Sequence, residues 1–148
     1  MTVELLQLFI YFLLGIAVTF YVVLDGFDLG VGSLLIFAGK DKNKRVFLNS
    51  IGPFWDGNET WLVIIVGVMF VGFPDMYAAL LSGLYVLLMY FLCAIIFRAV
   101  SIEFRSKHPS PKWRMCWDFL FWLSSLVITF GAGLALGNLI HGVPIDAD

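Results

Sequence analysis

Charge is scarce in this sequence: Asp, Glu, Lys and Arg make up 14% of its 148 residues, where a soluble domain carries about a quarter. With 61% hydrophobic and 17% aromatic residues, a water-solvated surface is excluded and a bilayer is the natural solvent. No basic residue precedes the first apolar run, and Glu4 stands there instead. The charged start of a cleavable signal peptide is therefore not expected, and the first segment should stay in the membrane. There is no CxxC: Cys93 and Cys116 lie 23 positions apart, which indicates neither a disulfide framework nor a cysteine metal site. No metal-ligand set is read elsewhere in the chain.

Four long apolar segments are present, Leu5 to Leu24, Trp55 to Phe73, Tyr77 to Val100 and Trp117 to Ile140. They predict an all-α membrane protein, four transmembrane helices in an up-down bundle forming one domain over 1–148. The nine basic residues fall in two places, Lys40, Lys42, Lys44 and Arg45 after the first segment, and Arg98, Arg105, Lys107, Lys112 and Arg114 at and after the end of the third. The positive-inside rule makes both loops cytoplasmic. The stretches around Glu4, Pro74 to Asp75 and Asp146 to Asp148 hold acids and no Lys or Arg, so both termini are expected outside, on the periplasmic face.

The second segment has an uninterrupted apolar part of only 13 residues, Trp61 to Phe73, about 20 Å as a helix. To span a bilayer its helix must start near Pro53, which draws Trp55, Asp56, Asn58, Glu59 and Thr60 into the membrane or its inner boundary. The first segment has the opposite problem. Beyond Leu24 come Asp25, Gly26, Phe27 and Asp28, then apolar chain toward residue 39, too much for one straight span. Either the helix tilts and extends past the boundary or it breaks near Gly26. Gly26 with Gly30, and Gly133 with Gly137, form small-xxx-small spacings expected to pack helices closely. Trp55, Trp61, Trp113, Trp117 and Trp122 fall near segment ends, as an interfacial belt does.

Asp25 and Asp28 are three apart on one predicted helix, and Asp56 and Glu59 repeat that spacing on the next. Each pair shares one side of its helix, so four acids are expected to converge at similar depth. Carboxylates at that depth face a bundle interior or a water-filled path, which suits proton carriage. The plainer alternative places them in the inner headgroup layer or pairs them with Arg98. Glu103 and Lys107 form either the mouth of such a path or a surface pair. His108 and His141 are not placed as mid-membrane haem ligands, and Met69, Met76 and Met89 read as gap fillers. Topology and acids alone also fit a small proton-coupled carrier or half-transporter, or a membrane scaffold.

LDGFDLGVG at 24–32, NSIGPFWDGNETWLV at 49–63, FRSK at 104–107, WRMCWD at 113–118 and GNLIHGVP at 137–144 resemble the signature stretches of subunit II of cytochrome bd-type quinol oxidases. The likeness covers nearly the whole chain, although such subunits have about eight spans in two four-helix bundles and this chain ends after the first. The resemblance implies a non-haem subunit of a terminal oxidase that takes electrons from ubiquinol or menaquinol and reduces oxygen to water in the bacterial inner membrane. The haems, b and d, would belong to the partner subunit I, and a small single-span subunit could join them. Membrane lipid surrounds such a complex, and nucleic acid has no place in it. Carried over by motif, Asp56 would be the chief proton relay, with Glu103 and Lys107 nearer the cytoplasmic entrance and Asp25, Glu59 and Asp28 supporting the polar region. Trp55, Asp28 and Arg98 match the family's quinone-contacting surface.

Overall fold

A computed structural model describes residues 3–142, and they are helical almost throughout, with no strand among the described residues. Helix α1 (Val3–Phe20) runs into a π-helical turn (Tyr21–Asp25), α2 (Gly26–Leu35) and a short 3-10 turn (Ile36–Ala38). Together they form one continuous helix of 36 residues, about 54 Å long. The first segment therefore extends past the span without breaking at Gly26. The π-helical turn has i→i+5 bonding, which accommodates an extra residue without opening the backbone, as lipid requires. Gly39 then adopts φ 70°, a left-handed value that ends the helix at little cost to a residue without a Cβ.

The polar helix α3 (Asp41–Ile51) follows, then α4 (Trp55–Gly72), bent 48° from it across the turn that holds Pro53. Asp56, Asn58, Glu59 and Thr60 thus occupy the first two turns of α4. Short α5 (Pro74–Gly83) is separated from α6 (Tyr85–Phe104) at Leu84, so the predicted third segment, 77–100, is divided there and ends later. Helix α7 (Pro111–His141) is the longest single α-helix, 31 residues. Among the described residues three helices are long and apolar enough to cross a membrane, and the bent α3–α4 pair would be a fourth if it is counted as one span. The acid stretch at 146–148 lies outside the described residues.

Helix α1 packs on α4, α2 on α7, and α6 along α7. Among buried residues other than glycine, six are apolar and eight polar or charged, whereas Phe9, Phe12, Val23, Val63, Phe70 and Tyr90 are exposed on the chain. A soluble protein cannot sustain that inversion; in lipid, apolar surface gains nothing by leaving the solvent, so polar contacts and close packing hold helices together. Buried hydroxyls are satisfied on their own helices: Ser125 Oγ donates to Phe121 O at 2.8 Å and Ser101 Oγ to Phe97 O at 2.6 Å. The apolar cluster of Leu35, Ile51 and Phe121 seals α2, α3 and α7 together at one end.

The glycine spacings do not act as expected. Gly26, Gly30, Gly133 and Gly137 have open space beside them, because they face away from the chain's own helices. Close approach falls instead at Gly32, where an added Cβ would collide with Ser125 and meet Phe121 at 3.3 Å, and at Gly72, where it would collide with Ile10. Gly32→Ala should therefore push α2 from α7 and destabilise the protein by roughly 1–3 kcal/mol, measured by thermal unfolding in mild detergent, with Gly32→Ala/Ser125→Gly restoring most of the loss.

Candidate functional site

A guanidinium organises the centre of the polar interior. Arg98, grouped with the loop cations by sequence position, lies inside α6 at 1% exposure. Its Nη2 donates to Asp25 Oδ1 and to Glu59 Oε1, each at 2.5 Å, and its Nε donates to Glu59 Oε1 at 3.0 Å. Asp25 comes from the end of the π-helical turn and Glu59 from the second turn of α4, so one side chain ties three helical segments. Neither carboxylate would be tolerated alone in a low-dielectric interior, and each is paired.

Asp28, one turn beyond Asp25 and equally buried, accepts from Asn58 Nδ2 at 2.8 Å, and the same amide reaches the Leu24 carbonyl at 3.4 Å. Asn58 links α4 to the α1–α2 helix, a role sequence reasoning did not assign to it; its place between Asp56 and Glu59 in a polar first turn was the available signal. Asp25 Oδ2, Asp28 Oδ1 and Arg98 Nη1 are buried without a protein hydrogen-bond partner. These are two acceptors and one donor left to water or a ligand. Beside Asp28 a groove of about 290 Å³ opens to the surface, bordered by Val23, Phe27, Phe54 and Asn58. Trp55 is half-buried at the first turn of α4 and does not border that groove.

Three of the four expected acids therefore gather, and Asp56 does not join them. It is exposed on α4, since a residue three positions before Glu59 is rotated some 60° around the helix, enough to clear the interface with α1. Glu103 and Lys107 are both exposed, and no ion pair joins them. Helix α6 ends at Phe104 and the chain turns, Lys107 N–H donating to Phe104 O at 3.1 Å. The i,i+4 register that would bring the two side chains together is broken there. Among the described residues no group of three or more His, Cys, Asp or Glu side chains is placed to hold a metal ion.

A second ionic cluster, which the sequence reading did not identify, closes the basic end. Arg105 is buried and hydrogen-bonds Asp118 on α7 through its Nε and Asp41 on α3 at 2.7 Å. Lys44 Nζ meets Asp118 at 3.1 Å and Arg114 Nη1 meets Asp41 at 3.0 Å. Burial weakens the Arg105 guanidinium's hold on its proton, but the Asp118 hydrogen bond and charge, with those of Asp41, outweigh it and lift its pKa above the ordinary value. Arg105 is thus charged throughout the physiological range. The available signal was Asp118, an acid set in an otherwise apolar run, 13 residues after Arg105.

Long apolar helices around buried carboxylate–guanidinium networks define a multi-pass membrane protein whose interior handles charge. The chain matches the sequence profile of the cytochrome bd terminal oxidase subunit II family over residues 6–148, and it belongs to that family. It is 40% identical over 146 residues to cytochrome bd-I ubiquinol oxidase subunit 2 of Escherichia coli (strain K12), covering 98% of this chain and 38% of that protein. To cytochrome bd ubiquinol oxidase subunit 2 of Bacillus subtilis (strain 168) it is 44% identical over 126 residues, 84% of this chain and 37% of that protein. A probable cytochrome oxidase subunit 2 of Haemophilus influenzae is 40% identical over 138 residues, 93% of this chain and 35% of that protein. The chain spans less than two-fifths of the length of these relatives.

Replacing Asp118 with Leu would leave Arg105 buried with only the half-exposed Asp41 to neutralise it. Unfolding of detergent-solubilised Asp118→Leu should show a loss of roughly 3 kcal/mol; replacing Arg105 with Met in the same protein should recover much of it.

Proposed function

We propose that the chain acts as the non-haem subunit of a cytochrome bd-type terminal quinol oxidase in the bacterial inner membrane, supporting a haem-bearing partner and carrying protons from the cytoplasm toward it. The observation that carries the reading is the Arg98 cluster: Asp25 and Glu59 share one guanidinium, Asp28 is held by Asn58 one turn from Asp25, and two carboxylate oxygens have no protein donor. Three acids around one cation can hold and pass a proton, provided water completes their hydrogen bonds. Family membership supplies the reaction, and the cluster supplies a reason for ionisable groups in lipid.

In this reading four spans run up and down, the basic loops between α2 and α3 and between α6 and α7 face the cytoplasm, and both termini face the periplasm. Protons enter near Glu103 and Lys107. Asp56 stands on the open face of α4, where a carboxylate bare to lipid would be costly; the partner subunit covers that face and receives the proton from Asp56. Haems b and d belong to that partner. A quinone, which accepts and releases electrons when bound, fits the groove beside Asp28: its ring lies between Phe27 and Phe54, and the Asn58 amide donates toward a carbonyl oxygen. Arg98, enclosed near Asp28, sets the charge of that wall without touching the ring, and Trp55 stands at the start of α4 outside the groove. A small single-span subunit completes the complex.

The test uses the full-length subunit assembled with its partner. Asp56→Asn should leave the reduced-minus-oxidised haem spectrum and the yield of complex unchanged while quinol-driven oxygen uptake falls by roughly tenfold to a hundredfold. An unchanged rate would remove Asp56 from the path, and a purified complex without haem would remove the oxidase reading.

A further inference from the structure

The basic end of the molecule holds a site that neither the proton path nor the quinone groove uses. Lys44, Met115 and Asp118 are shared by two adjoining grooves, one of about 280 Å³ reaching Asp41, Pro111 and Arg114, the other of about 550 Å³ reaching Ile36, Lys112, Cys116 and Phe119. The first is ionic and the second largely apolar. The charged groups lining them are Lys44, Lys112 and Arg114 against the carboxylates Asp41 and Asp118, and Arg45 and Arg105 also pair with those carboxylates. Cations exceed acids. Both carboxylates are fully engaged, Asp118 by Arg105 and Lys44, Asp41 by Arg105, Arg114 and Arg45, whereas Lys112 has no ion-pair partner among the described residues and Arg114 Nε is buried without an acceptor.

We infer that this double groove binds an anionic phospholipid, the phosphate seated among Lys44, Lys112 and Arg114 and an acyl chain running over Ile36, Met115 and Phe119. The occupant follows from the join of the two surfaces. Spare cationic donors alone would take any soluble anion, but here they open directly onto exposed apolar side chains at the end of the α2 and α7 spans, Met115 being 65% and Phe119 47% exposed. Only a ligand with a charged head and a hydrocarbon tail matches both, and basic pockets between helices at the membrane surface are suited to such headgroups. The inference rests on the orientation proposed above only in placing this end at the cytoplasmic leaflet.

The experiment titrates the full-length subunit in its purified, delipidated complex with phosphatidylglycerol, with phosphatidylcholine of the same acyl chains and with inorganic phosphate, reading bound lipid by native mass spectrometry. Phosphatidylglycerol should bind more tightly than phosphatidylcholine, and Lys112→Gln should weaken it about fivefold. Lys42→Gln, on the same helix as Lys44 but outside both grooves, should leave it unchanged. Lys112 has no ion pair to lose, so its substitution tests the site without disturbing the Arg105 cluster. Equal binding of the two lipids, parental affinity in Lys112→Gln, an equal loss in Lys42→Gln, or inorganic phosphate that displaces the lipid at equal concentration would each overturn the assignment.

Discussion

Arg98 is enclosed almost completely, and its partners come from two other helical segments. An unpaired guanidinium or carboxylate in a water-poor interior costs several kcal/mol, so the arrangement is stable only when α6, α4 and the π-helical turn are all in place. Much else in the molecule follows from that requirement. The π-helical turn ends at Asp25, and the first two turns of α4 carry Asn58 and Glu59, so both elements bring polar groups to the same interior. Asn58 then fixes Asp28 beside the same cluster. The charged interior is a joint between helices before it is anything else, and two of its carboxylate oxygens have no protein donor.

The Arg105–Asp118 cluster repeats this logic at the basic end, where it clamps α3, α6 and α7 beneath the apolar seal of Leu35, Ile51 and Phe121. The two clusters differ in their balance. Around Arg98 acids exceed cations, which suits a route for protons; around Arg105 cations exceed acids, which suits contact with an anionic surface. Between them lies little beyond helix packing and hydroxyls bonded to their own backbones. Along the long helices the outer surface is largely apolar, so the chain's own core is small.

What the sequence made legible was whatever depended on length and composition. The shortness of Trp61 to Phe73 placed Asp56 and Glu59 in the first turns of α4, and the run beyond Leu24 called for either an extended helix or a break near Gly26, of which the structure has the continuous helix. What escaped depended on rotation about helix axes. Asp56 and Glu59 are close in sequence, yet only Glu59 faces Arg98. Gly26 and Gly137 have the spacing of packing glycines but look outward, while Gly32, with no such partner in sequence, meets Ser125. Arg98 was counted by position with the loop cations, yet the plainer alternative, in which it pairs with the acids, is what the structure shows for Asp25 and Glu59. Glu103 and Lys107 had helical spacing, but the helix ends between them. The second cluster joins residues up to 74 positions apart, a distance over which no spacing rule applies.

Arg98 is held by the carboxylates it neutralises. Chemical unfolding of the detergent-solubilised protein tests it by comparing Arg98→Met alone with Arg98→Met/Asp25→Asn/Glu59→Gln. The single substitution should lower stability by roughly 3–5 kcal/mol, and neutralising both acids should return most of that loss. An Arg98→Met protein as stable as its parent would contradict the claim.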